Sequence, residues 1–432
     1  MSTDLLNMNK HKISYLLGFF IGIVVVLYSF LFEVKIKSLA TLTKLPSIFL
    51  FKIFIFTVGV LIILFSLSYF FNFNRLKKLS KNAFKLIAIV ILISIAIEVI
   101  LQIADQTPKL TEPDEILHHK FISNLKFHSK TNEWDVFYNI NSFGLRGEEV
   151  ELTKNKILVL GDSFTFGIGV NLNQTFPELL KKKINGHGKN IEVVNAGVIS
   201  YSPVLEYLFL KQKISTFKPS LVILNFDMSD LQDDYNYFSS AKKDNNNLVI
   251  AAGEETDLSR SVFSSLKTLQ IINSLISKAS KSETTNYIKP GDILTDRFAF
   301  TRNGIEITKE YQNALNISLT YLLEINKLSK KHNSGFIITV YPYGHQVNTK
   351  EWNLGRGVHL FKNDTFYSDR LAKIIENFGK ENNITVFNLF QGFKDSTDYP
   401  LYYPYDGHLT EKGHGLMADL MYNNLIKGGQ IL

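Results

Sequence analysis

Two short stretches carry the residue types of nucleophilic catalysis. The first, "ILVLGDSFTFGIGV" at 157–170, sets Gly161, Asp162 and Ser163 directly after an apolar run. Apolar residues bounded by a glycine read as a buried strand, and a serine on the next turn stands at the sheet's edge with backbone N–H groups free to face a ligand. A phosphate-cradling loop would need Gly-x-x-x-x-Gly-Lys-Ser/Thr, and no lysine stands here. The nucleophile-elbow pattern Gly-x-Ser-x-Gly fits at Gly161 and Ser163, with Thr165 at the final glycine position.

A serine nucleophile requires a base, a group that orients the base, and oxyanion donors. The stretch "YYPYDGHLTEKGHGLMADLM" places Asp406 and His408 two residues apart. On extended backbone such residues project to the same side, so Asp406 can accept from one imidazole nitrogen while the other faces Ser163. His414 reads instead as helix packing. The chain has no cysteine, which removes disulfides, thiolate catalysis and Cys-ligated metal. No His or carboxylate cluster has metal-ligand spacing, so neither metal nor cofactor is expected. Arg146 and Arg297 are candidates to bind an anionic substrate, and His345 and Gln346 to line the substrate cleft.

The elements that must position these residues follow from periodicity. Apolar runs at 156–160, 191–195, 220–226, 335–341 and 384–389 read as buried strands. Between them, "QTFPELLKKKIN" has Phe176, Leu179, Leu180 and Ile184 at helical spacing behind a Thr175/Glu178 capping box, and 308–333 and 364–383 are further helices. Strands alternating with helices imply a parallel sheet covered on both faces. Residues 105–150 read as a linker and a small β-rich lead-in to the 151–432 domain. The stretch 231–300, rich in Ser, Asn, Lys and Asp, reads as a solvated insertion near the site.

The N-terminal residues differ in kind. Of the net charge of +7, the first 104 residues hold eleven Lys and Arg against three acids, and the remainder is close to neutral. That placement favours a membrane interface over nucleic acid. Segments 13–32, 47–71 and 84–103 are apolar and long enough to cross ~30 Å of hydrocarbon, the last interrupted by Glu98. The expectation is a membrane domain over 1–104 with three transmembrane helices. The basic loop 72–85 then puts the N-terminus in the cytoplasm and the C-terminal domain in an extracytoplasmic (periplasmic or extracellular) compartment.

Four spaced blocks over roughly 156–428 resemble the SGNH/GDSL hydrolase superfamily, in a membrane-anchored form. Gly161-Asp162-Ser163-Phe164-Thr165 with Gly167 is similar to the first block, whose serine is the nucleophile. Asn195-Ala196-Gly197 is similar to the second, whose glycine N–H is an oxyanion donor. Asp227-Met228-Ser229-Asp230 stands where the family has Gly-x-Asn-Asp, and Asp406-Gly407-His408 matches the last block in a shortened form. "NINSFGLRG" is similar to a segment often found before this domain in membrane-anchored members.

The resemblance implies a flavodoxin-like α/β/α sandwich with the site at the carboxyl ends of the strands. It also implies a catalytic set of Ser163, His408 and Asp406, and an oxyanion hole from Ser163, Gly197 and Ser229. Ser229 in place of the family's Asn leaves three outcomes open: partial substitution by its hydroxyl, Asn225 reaching in, or a slow enzyme. Three functions are then in view. The first is a membrane-anchored serine esterase acting on an acylated glycan or lipid of the cell envelope. The second is an O-acyltransferase for an envelope polysaccharide, working with a membrane partner protein. The third is a non-catalytic envelope component that keeps the fold for binding or assembly.

Overall fold

The structure, a computed structural model, describes residues 10–35, scattered positions between 56 and 101, and residues 110–253, 288–362 and 367–429. The chain divides into two units, Met1–Thr107 with Thr256–Thr285, and Pro108–Glu255 with Asn286–Leu432.

In the first unit, helix α1 spans Lys10–Lys35. Among the described residues, no helix is long and apolar enough to cross a membrane. Hydropathy alone marks a run as apolar, but a crossing needs about 20 apolar residues in one helix. The side chains of α1 are described over 13–27, and most of 47–71 and 84–103 lies outside the described residues. The expectations of three transmembrane helices and of a membrane-anchored family member are therefore corrected. With them go the cytoplasmic N-terminus, the extracytoplasmic C-terminal domain, and the membrane and a membrane protein as partners.

The second unit is built on one parallel sheet. Its strands are β5 (Asn155–Gly161), β6 (Ile191–Gly197), β7 (Leu221–Phe226), β10 (Gly335–Val340) and β11 (Thr385–Asn388), in the order β11-β10-β7-β5-β6. This is the doubly wound flavodoxin-like order, so the α/β/α sandwich expected from the strand–helix alternation holds. Every residue of β7 and all but the first of β5 are buried, as strands covered on both faces must be.

Helices close both faces. On one, α3 (Phe176–Gly186) packs against α10 (Glu411–Lys427). On the other, α4 (Pro203–Phe217), α5 (Asp230–Ser240) and α6 (Lys309–Lys331) pack together. Short helices α2 (Ser163–Phe166), α7 (Gly344–Val347) and α9 (Phe390–Lys394) sit in the connections, and α8 (Arg370–Asn382) lies before β11. Helix α8 shows why sequence spacing predicts such elements: Leu371, Ala372, Ile375, Phe378 and Gly379 form its buried stripe. Thr175 does N-cap α3, but its hydroxyl donates to Leu172 O at 2.8 Å rather than accepting from the helix, so the expected capping box does not form.

Residues 110–147 form two antiparallel hairpins, β1 (Thr111–Asp114) with β2 (His118–Phe121), and β3 (Lys126–Lys130) with β4 (Asp135–Asn139). Within 231–300, α5 is followed by the small hairpin β8 (Lys242–Lys243) and β9 (Val249–Ala251). Residues 254–287 lie outside the described residues.

His414 on α10 is buried against α3, its ring stacked on Phe176 with centroids 5.9 Å apart and its Nδ1 accepting the Phe176 N–H at 3.2 Å. Burial, followed by the charges of Arg146 and His408, pulls its pKa down to about 3. A folded-state value below the unfolded one favours folding above the unfolded pKa, and that contribution is lost as pH falls from about 6.5 toward 3. His414→Phe keeps the stacking but cannot take up a proton. Its stability difference between pH 7 and pH 4, read by thermal unfolding, is expected to be smaller than the wild type's by on the order of 3 kcal/mol. An unchanged difference would exclude His414 as an acid-labile group.

Candidate active site

The strand order reverses direction around β5, and open sheets bind ligands at such switch points beyond the carboxyl ends of the strands. A cleft of about 290 Å³ opens there, lined among others by Ser163, Ser200, Ser229, Tyr343 and His408, each from a different connection.

Ser163 is the first residue of α2. Asp162 caps that helix by accepting the Phe164 N–H at 2.8 Å. Gly161 is required by its backbone and its surroundings: its φ is +154°, and a Cβ there would stand 2.0 Å from Thr165 Oγ1. Thr165, at the position where the elbow pattern has its last glycine, is held from below by Asn225 Nδ2, which donates to its hydroxyl at 2.8 Å. Asn225 also accepts from the Thr339 hydroxyl. Its carboxamide is thus committed to the core, and it does not reach into the cleft.

His408 Nε2 lies 2.8 Å from Ser163 Oγ, and His408 Nδ1 is hydrogen-bonded to Asp406 Oδ1. Asp406 also accepts the His408 backbone N–H at 3.2 Å, closing a tight turn where the sequence spacing suggested extended backbone. The carboxylate can only accept, so His408 Nδ1 carries a proton and Nε2 is the acceptor for the Ser163 hydroxyl. Burial alone would raise the Asp406 carboxyl, but the hydrogen bond and charge of His408 hold it below its ordinary value. Gly407 makes the turn possible with φ +89°, and a Cβ there would meet the Trp352 ring at 2.7 Å. Trp352, itself left-handed at φ +52°, donates its indole N–H to Tyr405 O at 3.0 Å and lies against this loop.

Two lead-in residues, Glu133 and Arg146, brace the turns that carry His408 and Ser163. Glu133, in the β3–β4 turn, accepts the Tyr405 N–H at 2.8 Å and the Asp406 N–H at 2.9 Å. Arg146 is buried away from the cleft. Its guanidinium donates to Phe166 O at 2.6 Å and to the Gly167 and Val170 carbonyls, where a cation complements the C-terminal end of α2. It packs over the Tyr138 and Phe166 rings and stays protonated with its pKa lowered by burial to about 10. Arg146 thus faces the backbone carbonyls of the turn after Ser163 and not the cleft, where an anionic substrate would have to bind.

The predicted oxyanion residues separate. Gly197 does not line the cleft: its N–H donates to Asn195 Oδ1 at 3.0 Å, and it packs against the backbone of Thr165 and Phe166. Ser200, three residues on, lines the cleft in a left-handed conformation at φ +61°, and its N–H has no hydrogen-bond partner among the described residues. Ser229 lines the cleft, but its hydroxyl donates to Asp227 Oδ1 at 2.7 Å and its N–H to the same oxygen at 2.6 Å. A hydroxyl has one proton, so in this arrangement Ser229 presents an acceptor, not a donor.

Asp227 also accepts the Tyr341 and Tyr343 hydroxyls at 3.2 and 3.1 Å. Burial first and neighbouring carboxylates second push the carboxyls of Asp162, which lines the cleft, and of the buried Glu206 and Asp230 well up. Arg297 lines the cleft opposite, 3.4 Å from Asp233 Oδ2. His345 and Gln346 do not line it. His345 is buried and stacked on Phe361 with centroids 3.9 Å apart, and Gln346 donates to Ser368 O at 2.6 Å. Among the described residues no group of three or more His, Asp or Glu is arranged to hold a metal ion.

No family model matches the chain, and no curated protein does. Among solved structures the chain is similar to TesA, at 11% identity over 64% of this chain and 100% of that one, with a TM-score of 0.35. It is similar to the psychrotrophic esterase EstA from Pseudoalteromonas sp., at 13% identity over 64% and 99%, with a TM-score of 0.33. A GDSL-like lipase from Bacteroides thetaiotaomicron gives 14% identity over 65% and 92%, with a TM-score of 0.31. At TM-scores below 0.5 these likenesses carry no part of the site's reading, which rests on its own geometry.

If Glu133 fixes the Asp406 turn, Glu133→Ala should loosen the His408–Asp406 hydrogen bond. The expected sign is broadening or loss of a downfield imidazole N–H proton resonance that is sharp in the wild type, at pH 7 and with the fold intact. An unchanged resonance would show that Glu133 is not needed to order the turn.

Proposed function

We propose that the chain is a serine acyl hydrolase that cleaves carboxylic esters through an acyl-enzyme. The observation that carries this reading is the chain of contacts Ser163 Oγ to His408 Nε2 at 2.8 Å, and His408 Nδ1 to Asp406. Such an array lets an alcohol attack at neutral pH, because the proton leaves as the new bond forms.

Ser163 Oγ attacks the ester carbonyl carbon while His408 Nε2 takes its proton, and the carbonyl electron pair moves onto oxygen. The N–H groups of Ser163 and Ser200 receive that oxyanion. As the intermediate collapses, His408 returns the proton to the departing alkoxide, which leaves as the alcohol. Water then attacks the acyl-enzyme with His408 as base, and the carboxylic acid departs with Ser163 restored. Asp406 keeps the imidazole in the tautomer this sequence needs. The cleft, at about 290 Å³ and walled by Phe164, Phe298 and Trp352, suits a small acyl group.

Turnover of p-nitrophenyl acetate by the full chain tests this directly. Ser163→Ala is expected to lose at least about 10³-fold in kcat, and Asp406→Asn about 10³–10⁴-fold, since the wrong imidazole tautomer disables the base. Turnover that survives Ser163→Ala would defeat the mechanism.

Ser229 supplies a sharper prediction. Removing a true oxyanion donor costs about 10²–10³ in rate. Because its hydroxyl is given to Asp227, Ser229→Ala is expected to change kcat by less than about threefold, on that scale a negligible effect. A hundredfold loss would restore Ser229 to the oxyanion hole.

A further inference from the structure

We infer that His119, on strand β2 of the lead-in, is a positioning residue that fixes the oxyanion-donating peptide between Ile199 and Ser200. This rests on the serine-hydrolase reading above and extends it to a residue outside the cleft.

The geometry is that of a single peptide unit held from behind. His119 Nε2 is 2.8 Å from Ile199 O. A carbonyl oxygen can only accept, so Nε2 carries the proton, and His119 Nδ1, 2.9 Å from His118 Nδ1, is the acceptor of that second contact. Ile199 C=O and Ser200 N–H belong to the same planar trans peptide and point in opposite directions. A donor that anchors the carbonyl on one side therefore aims the N–H to the other, and Ser200 borders the cleft that holds Ser163. Donation to the carbonyl also polarises the peptide and strengthens its N–H as a donor.

The next peptide is held as well. Tyr237 donates its hydroxyl to Ser200 O at 3.0 Å, and Tyr201 returns a hydrogen bond of 2.7 Å to His119 O. The Tyr201 ring meets the His119 ring edge-on with centroids 5.3 Å apart. These contacts hold Ser200 at φ +61°, a conformation a non-glycine residue adopts only when its surroundings impose it. Burial keeps the His119 imidazole below its ordinary pKa, consistent with a neutral ring bearing one N–H.

The test uses the full chain with p-nitrophenyl acetate and an aryl trifluoromethyl ketone. In the ketone adduct Ser163 Oγ bonds to the ketone carbon, the serine proton passes to His408, and the carbonyl electron pair becomes an oxyanion that needs the same donors as the transition state. His119→Phe removes the donor and keeps a ring, and is expected to lower kcat at least about tenfold with KM within twofold. The ketone's Ki should rise by a similar factor. His119→Gln, whose amide Nε2 takes the place of the imidazole Nε2, should recover most of both losses. Where the Phe variant does not fold, His119→Asn, one methylene too short to reach the carbonyl, takes its place against Gln with the same expected split.

Wild-type kcat and Ki in the donor-less variant overturn the inference, as does a kcat loss with Ki unchanged, or a Gln variant no better than the donor-less one. Ser163→Ala, run alongside, separates the two levels. Turnover independent of Ser163 overturns the hydrolase reading itself, whereas Ser163-dependent turnover indifferent to His119 overturns only this inference.

Discussion

A 2.8 Å hydrogen bond joins His408 to Ser163 across 245 residues of chain, and the functional meaning of the fold depends on it. Neither partner can find the other locally. The parallel sheet brings them together because β5 lies between β6 and β7, where the strand order reverses, so the turn after β5 opens into the crevice where the connections diverge. The pairing of α10 with α3 on one face carries the preceding Asp406–His408 loop back over that crevice. A small displacement of either loop would separate the two atoms, so what holds the loops matters as much as the residues themselves.

Those supports come largely from the lead-in. Arg146 holds the carbonyls at the end of α2, Glu133 holds the backbone of the Asp406–His408 loop, and His119 holds the carbonyl behind the Ser200 N–H. Three side chains from 119–146 thus reach the loops after β5, before α10 and after β6. His119 and Glu133 stand on the two hairpins and Arg146 on the stretch after them, which together set hydrogen-bonding groups behind this backbone while Phe121, Val136 and Tyr138 join the core. This division of labour suits α/β sheets, whose strand ends supply the reactive groups while irregular segments brace them.

Much of this was legible before the structure. The five buried strands and the helices between them follow from apolar runs and 3.6-residue spacing, and the Ser163, Asp406 and His408 placement follows from a strand–turn motif and an i, i+2 pair. Long-range braces were not legible: Glu133 and His119 look like ordinary polar residues of a turn and an edge strand. Arg146 is no more than a candidate for an anionic substrate in the sequence, which does not reveal that its fork faces carbonyls. Gly197 comes from the resemblance to the family's second block, and nothing in the sequence marks Ser200, which here holds φ +61° at the cleft. Ser229 and Asn225 were open candidates until their donors were seen to be committed to Asp227 and Thr165. The three-span reading rests on apolar length alone, and among the described residues no helix is long and apolar enough to cross a membrane.

The central claim is that Ser163 is a nucleophile activated by His408, and covalent capture tests it without knowledge of the natural substrate. The full chain is incubated with a fluorophosphonate at pH 7 and its intact mass and peptides are measured. The expected result is a single phosphonyl adduct on the peptide containing Ser163, absent in Ser163→Ala and formed far more slowly in His408→Ala. No adduct on the folded wild type, or an adduct that forms equally fast without His408, would contradict it.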